Sequence, residues 1–234
     1  MKLCRMMLVL LTAAIWPLRG SAQTLANSAG SSTAVATTTT AKLELVYIRP
    51  TVTIKLRNYL FDAFGPYPFS VSAIDAGINQ EENSPPEWKQ GAEGYSRRFA
   101  SDFGTSAIST TTRYALAQVF REDTLYYRCA CKGVFPRFGH AVISTFTGRH
   151  GDDGHRAFSF PALVAPYAGT MTAVYGWYPR RYDAMDGFRM GNYSLLGYVA
   201  ENLALEFLYS GPHSMLSRMH LNNRHGALDP GSTP

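Results

Sequence analysis

Apolar positions recur at helical spacing along most of the chain. In residues 51–64, Val52, Leu56, Tyr59 and Ala63 fall at i, i+4, i+7 and i+11 and define one face of a helix. Gly65-Pro66 closes it. A weaker pattern predicts a second helix over Phe69–Ile78, followed by the loop Asn83-Ser84-Pro85-Pro86. A long helix is predicted from Ala92 to Phe120, with Phe99, Phe103, Ala107 and Tyr114 as its inner stripe. Glu93/Arg97 and Arg98/Asp102 support it as opposite charges at i, i+4, while the poor helix formers Thr110-Thr111-Thr112 allow a break.

Further helices are predicted over Arg137–Gly148 and Tyr193–Tyr209, with the loop Arg149–Arg156 after the first. In the last helix Leu196, Val199, Leu203 and Phe207 share a face while Leu205 and Leu208 occupy the opposite one, so it should be covered on several sides. Between them, Ala157–Pro179 carries no charged residue and is bracketed by Phe158 and Phe160 at one end and Tyr175, Trp177 and Tyr178 at the other. Ala165, Gly169 and Ala173 repeat every fourth position, a stripe that lets a neighbouring helix approach closely. Such a stretch suits either the buried helix of a bundle, the preferred reading, or a membrane span, against which Pro161, Pro166 and several Thr and Tyr residues count.

The ends read differently. Met1–Ala22 has the form of a secretory signal: Lys2 and Arg5, then the uncharged run Met6–Trp16, then Gly20-Ser21-Ala22 before a cleavage expected ahead of Gln23. Residues 23–48 form a Ser/Thr/Ala linker too poor in large apolar residues to fold, and residues 211–234 read as a mostly disordered tail. The expected architecture is therefore mainly α, a single-domain helical bundle of about five or six helices over residues 49–210.

Charge matters only after this division. The whole chain carries +5, which with a pI near 9.1 invites a nucleic-acid reading. Lys2, Arg5 and Arg19 all lie in the signal segment, which holds no acid, so the remainder carries +2. Arg97-Arg98 and Arg180-Arg181 are isolated pairs beside acids, not a phosphate-tracking stripe, and nucleic acid is excluded as a partner.

Candidate chemistry is sparse. Arg149-His150-Gly151-Asp152-Asp153-Gly154-His155 is the densest polar run, and Asp152, Asp153 and His155, joined by His140 or His150, are the candidate metal ligands of a hydrolase. Their spacing fits neither HExxH nor an EF-hand, and a solvated loop explains the same composition. Cys129-Ala130-Cys131 leaves open a strained bridge, free thiols, pairing between chains or a soft-metal pair with only His140 near, with a structural cysteine as the default. A thioredoxin-like redox motif needs two intervening residues, and this has one. Glu201 and Glu206 stand about 140° apart on a helix and do not form an acid/base pair. His213, His220 and His225 fall in the tail. Nucleophile-elbow, Walker and GxGxxG motifs are absent, and no cofactor is implied.

Several stretches resemble a family of exported, envelope-type bacterial proteins with no assigned activity. They are Phe61-Asp62-Ala63-Phe64-Gly65-Pro66, Asp75-Ala76-Gly77-Ile78-Asn79-Gln80, Gln90-Gly91-Ala92-Glu93-Gly94-Tyr95, Glu122-Asp123 through Tyr126-Tyr127-Arg128, and Tyr175–Pro179. The resemblance spans about Thr51 to Leu208, and Gln90–Tyr95 is its most specific part. This chain reads Asp123-Thr124-Leu125-Tyr126 where the family commonly has Asp-Pro-Arg-Tyr, and Thr172–Pro179 where it commonly has Ser-Asn-Xaa-Tyr-Tyr-Pro. The resemblance implies export and a helical core. The expected product is a periplasmic or envelope-associated structural or interaction protein, its partners envelope proteins, the membrane surface or further copies of itself. The metal-dependent hydrolase and a small polytopic membrane protein are the alternatives.

Overall fold

The computed structural model describes residues 47–208 together with 214, 218, 219 and 227–229, all within one unit, Leu43–Pro234. The signal segment, nearly all of the linker, most of the tail and its three histidines lie outside the described residues. Among the described residues six α-helices carry the fold: α1 Val52–Phe64, α2 Pro66–Glu81, α3 Gly91–Val119, α4 Val134–Phe146, α5 Phe160–Gly176 and α6 Ala184–Phe207. The mainly α bundle expected from the pattern is what the chain adopts.

Local chemistry explains most helix ends. Thr51 caps α1 through its side chain, Gly65 separates α1 from α2, and Pro66 opens α2 at a position where its missing N–H costs nothing. Ser159 caps α5, and Asp183 with Asp186 forms a capping box on α6, which begins nine residues before the periodicity predicts. The Thr110-Thr111-Thr112 run does not break α3; Thr111 returns its hydroxyl to the Ala107 carbonyl and the helix continues for 29 residues.

The predicted loop at Arg149–Arg156 is instead a β-hairpin. Strands Thr147–His150 (β3) and His155–Phe158 (β4) pair antiparallel, Gly151 and Gly154 supply the positive φ of the turn, and Glu122–Asp123 (β1) pairs along β3. A second ladder is parallel, between Tyr127–Arg128 (β2) and Ala227–Leu228 (β5). Within the stretch read as a disordered tail, residues 227–229 are thus held in place by strand pairing.

Helix α5 packs between α3 and α6. Its small-residue stripe does what the spacing predicts. Ala165, Gly169 and Ala173 are buried, and a Cβ at Gly169 would sit 2.6 Å from the Thr105 carbonyl oxygen of α3. On the other side Gly187 of α6 leaves room for Met171, and Thr170 donates to the Gly187 carbonyl at 2.9 Å. Helix α5 has 17 residues, and among the described residues no helix is long and apolar enough to cross a membrane.

The core is built of small apolar residues and a few charged ones, with most large apolar side chains turned outward. None of the 13 phenylalanines is buried, and the largest fully buried side chains are headed by Arg98, Glu122 and Glu206. In α1 the buried positions are Lys55, Asn58 and Ala63, while Val52, Leu56, Leu60 and Phe64 form an outward stripe. The face defined by Val52, Leu56, Tyr59 and Ala63 is therefore split: Ala63 points inward, Val52 is 79% exposed and Leu56 56%.

Candidate functional site

The polar interior gathers at two joints. The first is local. Arg98 of α3, 1% exposed, donates to the carbonyls of Ser84 (2.8 Å), Pro85 (2.9 Å) and Lys89 (2.8 Å) and to the Gln80 side chain (2.6 Å). Gln80 in turn donates to the Gly91 carbonyl, and Gln90 to the Gln80 carbonyl and Asn83 side chain. A Cβ at Gly94 would lie 2.8 Å from the Arg98 guanidinium, so glycine is required there. Two of the motif stretches, around Gln80 and Gln90–Tyr95, therefore meet to seat one guanidinium. Asp102, one turn along α3, accepts from Asn79 at 3.2 Å, and burial together with nearby Asp75 pushes its carboxyl up to about 7.

The second joint is assembled from distant segments. Glu206 of α6 is fully buried and accepts from Tyr126 (2.6 Å), the Cys129 N–H (3.1 Å) and Arg137 Nε (2.9 Å) of α4, with His140 Nδ1 at 3.7 Å. Arg137 also donates to the Glu206 carbonyl and stacks over Phe207. Burial opposes ionisation here, yet the hydrogen bonds from His140, Tyr126, Arg137 and Cys129 outweigh it and hold the carboxyl at about 2. Burial and the Glu206 carboxylate together raise the Tyr126 hydroxyl far above its ordinary range, keeping it a donor.

Asp229, just after β5, continues this joint. It accepts from Arg149 and lies 3.5 Å from His140 Nε2 and 3.7 Å from Arg156. The Arg149 guanidinium also caps the Gly154 carbonyl and lies over the rings of Tyr47 and Tyr127, whose hydroxyls both donate to Asp123. Glu122 accepts from Ser159 at 2.5 Å, with His150 Nε2 3.4 Å from its other oxygen; burial raises its carboxyl against these favourable contacts. Gly148 makes this possible, because any Cβ there would collide with the Glu122 carboxyl group.

Among the described residues three buried side-chain atoms make no hydrogen bond, Arg113 Nε, Glu122 Oε2 and Arg149 Nε, and all three residues line one cavity of about 20 Å³. That space accommodates about one water molecule. It is far below the several hundred Å³ of a ligand pocket. The buried cluster is a joint that ties strands, α4 and α6 together.

The candidate metal ligands go elsewhere. Asp152 is exposed and pairs with Arg49 (3.0 Å) and Arg121 (2.9 Å), while Asp153 pairs with His155 at 2.9 Å. The His150 ring stacks on His155, and His140 sits apart between Glu206 and Asp229. Among the described residues no group of three or more His, Cys, Asp or Glu is placed to hold a metal ion. The loop thus brings Asp153, His155 and His150 together and sends Asp152 to two arginines.

Cys129 and Cys131 are bonded to each other, not left as structural thiols. The Cys131 N–H donates to Cys129 Sγ at 3.1 Å; Cys129 is buried and Cys131 partly exposed. Glu206 was legible only as a residue that does not pair with Glu201. Its actual partners come from residues 126–129 and 137–140, more than 60 positions away, and spacing carries no signal for that. No family model, curated protein or solved structure matches the chain.

Proposed function

We propose that this is an exported, envelope-associated interaction protein, which docks against a membrane surface through its outward apolar helix faces. The observation that carries this reading is the side-chain distribution: several charged groups are fully buried while most phenylalanines face outward. A second protein would cover one patch. The outward apolar residues lie on several helices, including Leu56 and Phe64 of α1, Phe69 and Ile74 of α2, and Phe188 and Leu196 of α6. An apolar solvent selects that arrangement, with small residues at helix contacts and polar groups turned inward. Because no described helix is long and apolar enough to cross, the fitting mode is burial of apolar faces at the interface. The signal-like Met1–Ala22 and the family resemblance support export.

Flotation of the chain beginning at Gln23 with phosphatidylethanolamine/phosphatidylglycerol vesicles tests the reading. Co-flotation is expected, and Leu56→Glu with Leu60→Glu should weaken it by at least about tenfold. A protein that stays freely soluble and monomeric, and that crosslinks to nothing in cell envelopes, would remove it. Self-crosslinking without flotation would replace the membrane by a second copy.

A further inference from the structure

The geometry points to a second activity at Cys129–Cys131: a thiol–disulfide exchange site that oxidises cysteine pairs in unfolded, apolar polypeptides. It stands independently of membrane docking. The bond encloses one intervening residue, so it restrains very little of the unfolded chain and offers little as a structural staple. The two sulfurs are unequal. Cys131 is the accessible one, whereas buried Cys129 already receives the Cys131 N–H and has its own N–H held by Glu206. Attack is therefore directed to Cys131 Sγ, and Cys129, whose thiolate inherits that donor, is the sulfur that leaves. Arg128 and Lys132 flank the pair and favour an approaching thiolate.

The surroundings suit a polypeptide. Immediately after Cys131 the first turns of α4 present Val134, Phe135 and Phe138 outward, and Phe135 at 89% is the most exposed large apolar side chain among the described residues. A reactive disulfide beside a bare apolar patch fits a substrate that offers both cysteines and unburied apolar side chains.

In the exchange, one substrate thiolate attacks Cys131 Sγ. The sulfur–sulfur bond breaks and Cys129 leaves with the electron pair. The second substrate thiolate then attacks the substrate sulfur of the mixed disulfide, forming the substrate's own disulfide and releasing the Cys131 thiolate. Two electrons pass to the protein, and the two protons lost by the substrate thiols are taken up through solvent by Cys129 and Cys131. A small-molecule disulfide such as oxidised glutathione restores the bond.

The test uses the chain from Gln23 and a reduced apolar peptide containing two cysteines. Dithiothreitol should open the bond while circular dichroism remains native, oxidised glutathione should close it, and the peptide should be oxidised faster than by glutathione disulfide alone. Cys131→Ser should return peptide oxidation to the uncatalysed rate. Phe135→Ser, which keeps both cysteines, should slow peptide oxidation by about tenfold and leave the dithiothreitol reaction unchanged. Free thiols in the protein as isolated, reduction only on unfolding, or peptide oxidation at the uncatalysed rate would each overturn the proposal.

Discussion

The Arg98 and Glu206 joints each bury one ionised group, but they satisfy it by different means. Arg98 is seated by neutral acceptors, three backbone carbonyls and a glutamine, all within 18 residues of it. Glu206 is seated by an arginine, a tyrosine, a histidine and a backbone N–H, all more than 60 residues away. The first joint is local geometry and does not depend on a second charge. The second is an electrostatic assembly, and it exists only when remote segments have come together. A buried charge can therefore serve to shape a turn or to lock a tertiary fold, depending on what answers it.

The largest effect should come from Arg98→Met, which leaves four acceptors without their donor. Urea unfolding should register a loss of about 4 kcal/mol at pH 5, and a larger one at pH 7, where the guanidinium also favours the Asp102 carboxylate. Glu206→Gln should cost less, about 3 kcal/mol at pH 7, because Arg137 is partly exposed and can hydrate.

The pH dependence separates the joints further. The Glu206 carboxyl is depressed from 4.5 to about 2, so its contribution is complete above pH 4.5 and disappears as pH falls through 2. Acid titration of stability should show this loss in the wild type and not in Glu206→Gln. Near Arg98 the sign reverses. Asp102 is raised from 3.8 to about 7, so stability is lost as pH rises through that window. Asp102→Asn should recover this loss, gaining several kcal/mol at pH 8 and nothing at pH 3.5. Equal pH profiles for Glu206→Gln and Asp102→Asn would erase the contrast.

What could be read from the pattern follows the same division. The spacing of Val52, Leu56 and Ala63 placed α1 correctly, and Gly65-Pro66 marked its end, because caps and periodicity act over a few residues. The orientation of α1 was not legible, since an apolar stripe says only that one face differs from the other. The β3–β4 hairpin was also hidden: its strands have four residues each, too short for alternation to show, and its glycines and aspartates resemble any solvated loop. Asp229 gave no sign at all, because it is defined by partners such as Arg149, 80 residues away.

That last separation sets a timetable for the molecule. A polypeptide delivered from its N-terminus presents His140, Arg149 and Arg156 long before Asp229 arrives, so during delivery three basic side chains wait for their shared carboxylate. While α3 still waits for α5 to cover it, the Arg98 turn draws every partner of its guanidinium from residues 80–89 and can form as it emerges. The second joint cannot. Its completion marks the moment at which the entire stretch from Tyr126 to Asp229 has been handed over, and β5 is the clasp that records it.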